Sequence, residues 1–492
     1  MNDFLKKILK SGFGVFTSRI FGLLRDVVTA AVFGASKFTD AFFVAFAIPN
    51  LFRALFAEGA LSSAFLPILA DKKMENQVLA NRYMSVLIVY LSFIIGFICI
   101  MFIIFSNYVV LAFLPGYVKD LEMVSVASKL LKIVMPYLFL VSVCGIFSGF
   151  LNLVGSFYVP HSSTALLNLF MIIGAYIAFI SDGSIYFLAW GVFAGGVFQL
   201  LFLLYYSYLR GFNWDYSSEV KEDVKKTFLL IVPSVLGVGI TQLNFTVGRI
   251  LASFLDVGSI SYLYYSGRLF QFPLGVFSIA LSSVALAELS KIGSKGDRDS
   301  RNTLIDKAIL GIFAIIIPAS LGLILLSEEI TAFVFKRNLF NDKNVVETAR
   351  ALVMYSVGLI FFSMVNLFTK VFHSRKDTKT PVKGAAYSFF INIVLMFLFM
   401  PYFKHAGIAL ASSGAAVFNA FFLYFHIRDY RFEFLKHFVF LIKILISAVS
   451  MVFLIIYLKN FHLNLLIVVV ISAMGYLLGL WVLRTEIMRI LR

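Results

Sequence analysis

Four arginines, Arg19, Arg25, Arg53 and Arg268, stand inside stretches otherwise so apolar that they read as membrane-spanning helices. A cation at bilayer depth costs roughly 3 kcal/mol on insertion scales, so it is kept only where it faces a partner, a wet cavity or a substrate. Arg19 and Arg25 are six residues apart, nearly two helical turns, and project toward broadly similar sides at different depths. Asp26 follows at once, and the next stretch holds Asp40, Pro49, Asn50, Arg53 and Glu58. The guanidinium fork fits the oxygens of a carboxylate or a phosphate. Two arrangements therefore stand open. Either Arg25 pairs with Asp40 or Asp26 and Arg53 with Glu58, or the arginines, which outnumber these acids, gather on an anionic ligand. Gly12, Gly14, Gly22 and Pro49 mark where the two helices can bend.

The elements that must position these residues are set by composition. The chain has 492 residues, 61% of them hydrophobic and 14% charged, far more apolar than a soluble domain. Each crossing needs about 20 apolar residues. About fourteen such runs can be marked, near 11–34, 40–69, 84–113, 129–155, 160–181, 185–209, 224–253, 259–290, 304–326, 347–373, 381–401, 405–427, 437–458 and 463–483. The fold class is an all-α polytopic membrane protein. The longest polar connections, near 210–227, 288–307 and 327–346, leave no room for a soluble domain. Similarity between 62–71 and 282–291, six helices apart, suggests two like-oriented six-helix halves about an axis along the membrane normal.

The net charge of +16 could suggest a nucleic-acid binder, but the bases lie in short connections and form no continuous basic face, so nucleic acid is excluded as a partner. They report topology instead. Lys6, Lys7 and Lys10, then Lys72, Lys73 and Arg82, then Arg210, Lys225 and Lys226, and on through Arg298, Arg375, Arg431 and Arg492, fall on alternate connections. The bias keeps one side throughout and predicts both termini in the cytoplasm. The basic N-terminus imitates a signal peptide, but Arg19, Arg25 and Asp26 interrupt the apolar run, so it is expected to be retained.

Motifs of catalysis are missing: there is no Walker loop, no Gly-x-Ser-x-Gly and no His-Glu-x-x-His. The six histidines lack metal-ligand spacing, and Cys99 and Cys144 read as small buried hydrophobes. The chain reads as no enzyme, with no metal and no cofactor. Any work it does must draw on an ion gradient, the membrane potential or the substrate's own gradient.

A family resemblance then becomes specific. Ser18-Arg19, Arg25-Asp26, Phe33-Gly34-Ala35, Thr39-Asp40-Ala41-Phe42, Ile48-Pro49-Asn50-Leu51-Phe52-Arg53, Phe56-Ala57-Glu58-Gly59-Ala60 and Phe65-Leu66-Pro67-Ile68 occur in order. So do Tyr264-Tyr265-Ser266-Gly267-Arg268-Leu269-Phe270-Gln271-Phe272-Pro273 and Asp377-Thr378-Lys379-Thr380-Pro381. This series resembles the MurJ (MviN) lipid II flippases of the multidrug/oligosaccharidyl-lipid/polysaccharide exporter superfamily, essentially end to end.

The resemblance implies two six-helix lobes, 1–209 and 210–427, around a central cavity, with 428–492 adding two helices that form a lipid-facing groove. It implies movement of lipid II, the undecaprenyl-diphosphate-linked peptidoglycan precursor, from the inner to the outer leaflet of the bacterial cytoplasmic membrane by alternating access. Arg19, Arg25, Arg53 and Arg268 carry over as substrate-binding residues. Asp26, Asp40 and Glu58 are expected in charge pairing or gating, and Gly12, Gly14, Gly22 and Pro49 as hinges. Implied partners are lipid II, membrane lipids and cell-wall synthesis proteins. One departure stands out: Gly248 occupies the place of an acid that many relatives carry, which removes the basis for a sodium site, while Ser388 and Asn392 could still solvate a cation. Rival readings are a flippase for another undecaprenyl-linked oligosaccharide, a multidrug exporter, or a scaffold for cell-wall synthases.

Overall fold

The computed structural model describes residues 3–53, 60–292, 298–428, 430–461 and 463–483, whose regular structure is all helix, with no strand among them. The expected acid Glu58 and the C-terminal bases Arg484, Arg489 and Arg492 lie outside the described residues. By packing, the chain divides into two compact units. The first is Met1–Ser261 with Arg337–Asn341, and the second is Tyr262–Lys336 with Asp342–Arg492.

The first unit contains α1 (Asp3–Phe33), α2 (Lys37–Arg53), α3 (Ala60–Glu75), α4 (Gln77–Ile104), α5 (Ser106–Phe113), α6 (Leu121–Val134), α7 (Pro136–Leu153), α8 (Tyr158–Ile180), α9 (Tyr186–Leu209) and α10 (Lys221–Ala252). The breaks have local causes. Gly34, at φ 60°, takes the left-handed conformation that ends α1. Asn76 caps α4 through the Val78 amide, and Asp120 caps α6 through that of Met123. Pro136 opens α7, where a missing N–H costs nothing.

Helices α8 and α9 meet without an intervening layer of side chains. A Cβ on Gly174 would stand 2.3 Å from the Phe187 carbonyl oxygen, and one on Gly191 2.6 Å from that of Phe170. Small residues let helix backbones approach this closely where van der Waals contact is the main attraction. Helix α10 joins α4 through Tyr83 and Thr227, whose hydroxyls are 2.5 Å apart. The polar segment before it is clamped to α4 by Arg82, 2.9 Å from Asp215 and 2.8 Å from Glu219.

The second unit takes up α11 (Ser259–Pro273) from Tyr262 onward, a π turn (Leu274–Ser278), α12 (Ile279–Ile292), α13 (Arg298–Leu325), α14 (Ser327–Phe335), α15 (Asp342–Val357), α16 (Leu359–Ser374), α17 (Lys379–His426), α18 (Phe434–Lys459) and α19 (Leu465–Val482). Lys404, at φ 52° and ψ −133°, splits α17 into two segments, matching the runs read at 381–401 and 405–427. Helices α15 and α16 meet at a 47° bend beside Gly358, where a Cβ would lie 2.4 Å from the Ser413 hydroxyl oxygen. Helices α18 and α19 pack on α13 through Ala314, Ile444, Ala448, Met451, Ile455 and Tyr476, and the Tyr476 hydroxyl donates to the Ala314 carbonyl at 2.6 Å. Polar ties finish both ends of α18: His437 Nε2 lies 3.0 Å from Asp306, and Lys459 Nζ lies 2.5 Å from Glu329.

Among the described residues the runs marked in the sequence fall on helices, that at 40–69 on α2 and α3. By length and apolar composition nine described segments can cross a membrane, or ten with the bent pair α15–α16 counted as one. Helix α1 falls outside that set because Arg19, Arg25 and Asp26 interrupt it. The polar connection read over 327–346 holds α14 and the start of α15, and α14, nine residues long, is too short to span.

Candidate functional site

Ser18 and Arg25 of α1 face α8. Arg25 is only 7% exposed, and its Nε and Nη2 donate to Asp26 Oδ1 at 3.0 and 2.7 Å. Its Nη1 donates to Asn168 Oδ1 at 2.8 Å, and Asn168 Nδ2 reaches back to the Ser18 carbonyl at 3.4 Å. One turn earlier on α8, the Thr164 hydroxyl bonds that of Ser18. Gly22 lies beside this seam, and a Cβ there would meet Asn168 Nδ2 at 3.7 Å, an ordinary contact. Of the two carboxylates considered for Arg25, the structure selects Asp26.

Asp40 is fully buried and binds neutral donors rather than a cation. It accepts from the amides of Gly258 at 2.7 Å and Ser261 at 2.8 Å, from the Ser261 hydroxyl at 2.6 Å, and from the Tyr117 hydroxyl at 3.5 Å. An acid on the first amides of a helix satisfies donors that have no partner inside it and complements the helix dipole. Among the described residues Asp40 forms no ion pair, so the pairing of Asp40 with Arg25 is corrected.

Arg19, six residues before Arg25, is exposed and makes no hydrogen bond or ion pair with any described residue. Arg53 is half-buried, and its Nε donates to Asn50 Oδ1 at 3.0 Å. Asn50 in turn donates from Nδ2 to the Phe46 carbonyl at 2.8 Å, bracing the turn where Pro49 offers no N–H. In the second unit, Arg268 is exposed on α11. Its guanidinium lies 4.9 Å from the Tyr264 ring centre and its Nη2 donates to the Tyr264 hydroxyl at 3.0 Å. A cation held on a ring face has its swing restricted.

The motif beginning at Asp377 serves local structure. Asp377 accepts from the amides of Lys379 and Thr380 at 2.9 and 3.0 Å, and from the Thr380 hydroxyl at 2.7 Å, which caps α17. The Thr380 hydroxyl first, then these amides, hold its carboxyl below the usual carboxylate range. Ser388 donates to the Ala415 carbonyl at 2.9 Å, an ordinary bond between the two segments of α17. Gly248 is buried within α10.

Asn168 and Thr164 were missed by a reading that weighed charge. Their signal was present: two polar side chains four residues apart in a run marked as a span, the spacing of one helix face.

This arrangement, an all-helical membrane chain with basic groups set into its apolar helices, has the fold of the superfamily that includes multidrug exporters. An inward-facing multidrug resistance MATE family transporter of the MOP superfamily, 15% identical, superposes with a TM-score of 0.66 over 84% of this chain and 94% of that one. A nearer likeness narrows the class: the structure titled "Lipid II flippase MurJ, inward closed conformation" has a TM-score of 0.84 and 29% identity over 95% of this chain and 97% of that one. A family model described as "Lipid II flippase MurJ" matches residues 29–477. A probable lipid II flippase MurJ of Buchnera aphidicola subsp. Schizaphis graminum is 32% identical over 467 residues, 93% of this chain and 90% of that protein. The chain belongs to the MurJ lipid II flippase family.

Proposed function

We propose that this protein moves lipid II across the cytoplasmic membrane of a bacterium, from inner to outer leaflet, by alternating access and without catalysis. The observation that carries the reading is the family match over residues 29–477. Two lobes, 1–209 and 210–427, enclose the head group, and 428–492 supplies the lipid-facing groove. Both termini face the cytoplasm, as the lysine and arginine bias requires. Cell-wall synthesis proteins are the partners such a role calls for.

Arg19, Arg25, Arg53 and Arg268 bind the diphosphate, and their chemistry supports this. Arg19 and Arg268 are exposed cations on apolar helices, and arginine grips phosphate oxygens two at a time. Asp26 holds Arg25 between turnovers, and a diphosphate that displaces it shifts the balance toward a closed state by its own differential affinity. Asp40 and Glu58 complete the set of gating acids, and Gly12, Gly14, Gly22 and Pro49 supply the bends. An arginine-rich site disfavours the cationic-drug exporter reading.

The test places the purified chain in vesicles carrying lipid II and reads its leaflet distribution. Translocation is expected in the wild type and lost in each Arg→Ala variant that remains in the membrane, with Arg→Lys restoring it in part. Full activity of all four alanine variants would refute the arginine assignment, and an unchanged lipid II distribution with wild-type protein would refute the substrate. A cysteine placed at Ser294, which lies outside the described residues, should stay unlabelled by an external probe in intact cells.

A further inference from the structure

The helix that carries Arg268 changes pitch beyond it. Pro273 has no N–H to give, so the Leu269 carbonyl lacks its α-helical donor, and Leu274–Ser278 form a π turn closed by the Ile279 amide on the Leu274 carbonyl. Burial marks the same place. Before the turn the buried positions Tyr262, Tyr265, Leu269 and Pro273 step by three or four residues, and after it Ser278, Ser282, Ala285 and Leu289 do the same. From Pro273 to Ser278 the step is five, which the wider π turn supplies. An α turn in its place would present the residue before each: Phe277, Leu281, Val284 and Glu288.

The two halves are held differently. Aromatic rings key α11 in place: Tyr265 stands 5.0 Å from Phe335, and Phe270 stands 5.4 Å from Tyr355 and 5.0 Å from Phe362, centre to centre. The other half, α12, is packed against α13 and α16 and buries only Ser282, Ala285 and Leu289. Asn366 Nδ2 reaches the Ser278 hydroxyl at the end of the turn at 3.4 Å, while the fully buried Ser282 hydroxyl has no hydrogen-bond partner among the described residues. Phe277 and Val284, by contrast, are 39% and 63% exposed. A buried hydroxyl left unpaired opposes the register that buries it.

We propose that the π turn is a register switch. Helix α12 has a second orientation, about 100° around and roughly 1.5 Å along its axis, in which the turn is α-helical and Phe277, Leu281 and Val284 take the places of Ser278, Ser282 and Ala285. Glu288 takes that of Leu289, still paired with Lys291 on its own helix. Arg268 stays where the aromatic contacts hold α11, and the exposed surface beyond it changes from apolar to hydroxyl-bearing. The switch needs no substrate, and its measurement involves no translocation.

The full chain, carrying Cys99→Ala/Cys144→Ala, is placed in lipid nanodiscs with a nitroxide on Val284→Cys, and mobile and immobilised label are separated by electron paramagnetic resonance. Both fractions are expected, since this side chain is exposed in one register and packed in the other. A nitroxide on Ser283→Cys, exposed now and in the place of Val284 after the switch, should be mobile only. Ser282→Ala removes the unpaired hydroxyl and should raise the ratio of mobile to immobilised label on Val284→Cys roughly ten-fold. Deletion of Gly275 takes out the extra residue of the turn and should leave that label immobilised. A single mobile fraction on Val284→Cys, an unchanged ratio with Ser282→Ala, or a folded deletion variant whose label stays mobile would each overturn the switch. Should the deletion variant fail to insert, the first two results decide.

Discussion

Two helix seams, one in each unit, are built from opposite materials. Where α1 meets α8, the contacts are Ser18 with Thr164, and Arg25 with Asn168 and Asp26. Where α18 and α19 meet α13, they are Ile444, Ala448, Met451 and Ile455 against Ala314, with charged ties only at the ends of α18. Within hydrocarbon there is no hydrophobic drive between helices, so the apolar seam holds by shape and allows one arrangement. The polar seam holds by directional bonds, each of which can be exchanged for a bond to a phosphate oxygen. Under the proposed function the first is the seam that would answer to a ligand and the second the framework that would stay fixed.

The comparison breaks most easily at the buried ion pair. Asp26→Leu should destabilise by about 3–5 kcal/mol, because it leaves the guanidinium of Arg25 without its carboxylate. Arg25→Met/Asp26→Leu should recover most of that loss, read as thermal unfolding in detergent, yet remain inactive in translocation. If the single and double variants unfolded at the same temperature, the pair would not be what holds the seam.

Next comes Asn168. Replacement by leucine removes a hydrogen bond to a charged group, worth about 1.5–3 kcal/mol. Asn168→Asp sharpens the point further. It nearly preserves shape and adds a second anion beside Arg25, so stability should hold while translocation falls, through competition with the diphosphate. Undiminished translocation would show that phosphate does not approach Arg25.

In the apolar seam, Ile444→Val should cost about 1 kcal/mol through lost packing and leave translocation unchanged. A fall in transport beyond the loss of folded protein would erase the distinction between the seams. Asp377 gives the smallest effect and a reference in water: Asp377→Ala should cost about 1 kcal/mol as a lost helix cap. Its depressed pKa sets the sign. The contribution is present above the unfolded value of about 3.9 and disappears as pH falls through the lower folded value, so wild type and Asp377→Asn should converge in unfolding temperature on acidification.

What could be read from the sequence follows the same division. Apolar runs between basic connections announce their helices, because crossing length and charge exclusion are properties of single segments. The interruptions at Phe105, Met135 and Gly358 are fainter, since hydropathy is continuous across them, although Pro136 and Gly358 are signals in retrospect. The arginines were legible as costly residues. Their partners were not, because Asn168 lies 143 residues from Arg25, and the carboxylate of Asp40 meets amides more than 200 residues away. Charge alone suggested a cation for Asp40, whereas backbone N–H groups at a helix start satisfy a carboxylate as well.

The contact between α8 and α9 bears on mechanics. With Gly174 and Gly191 seated on the opposing backbone, neither helix can roll or slide without collision, so the two behave as one stiff lever. A displacement of α8 should therefore carry α9 with it. A bulky residue at either glycine would act as a wedge, changing the resting angle of that lever at a distance from every charged group.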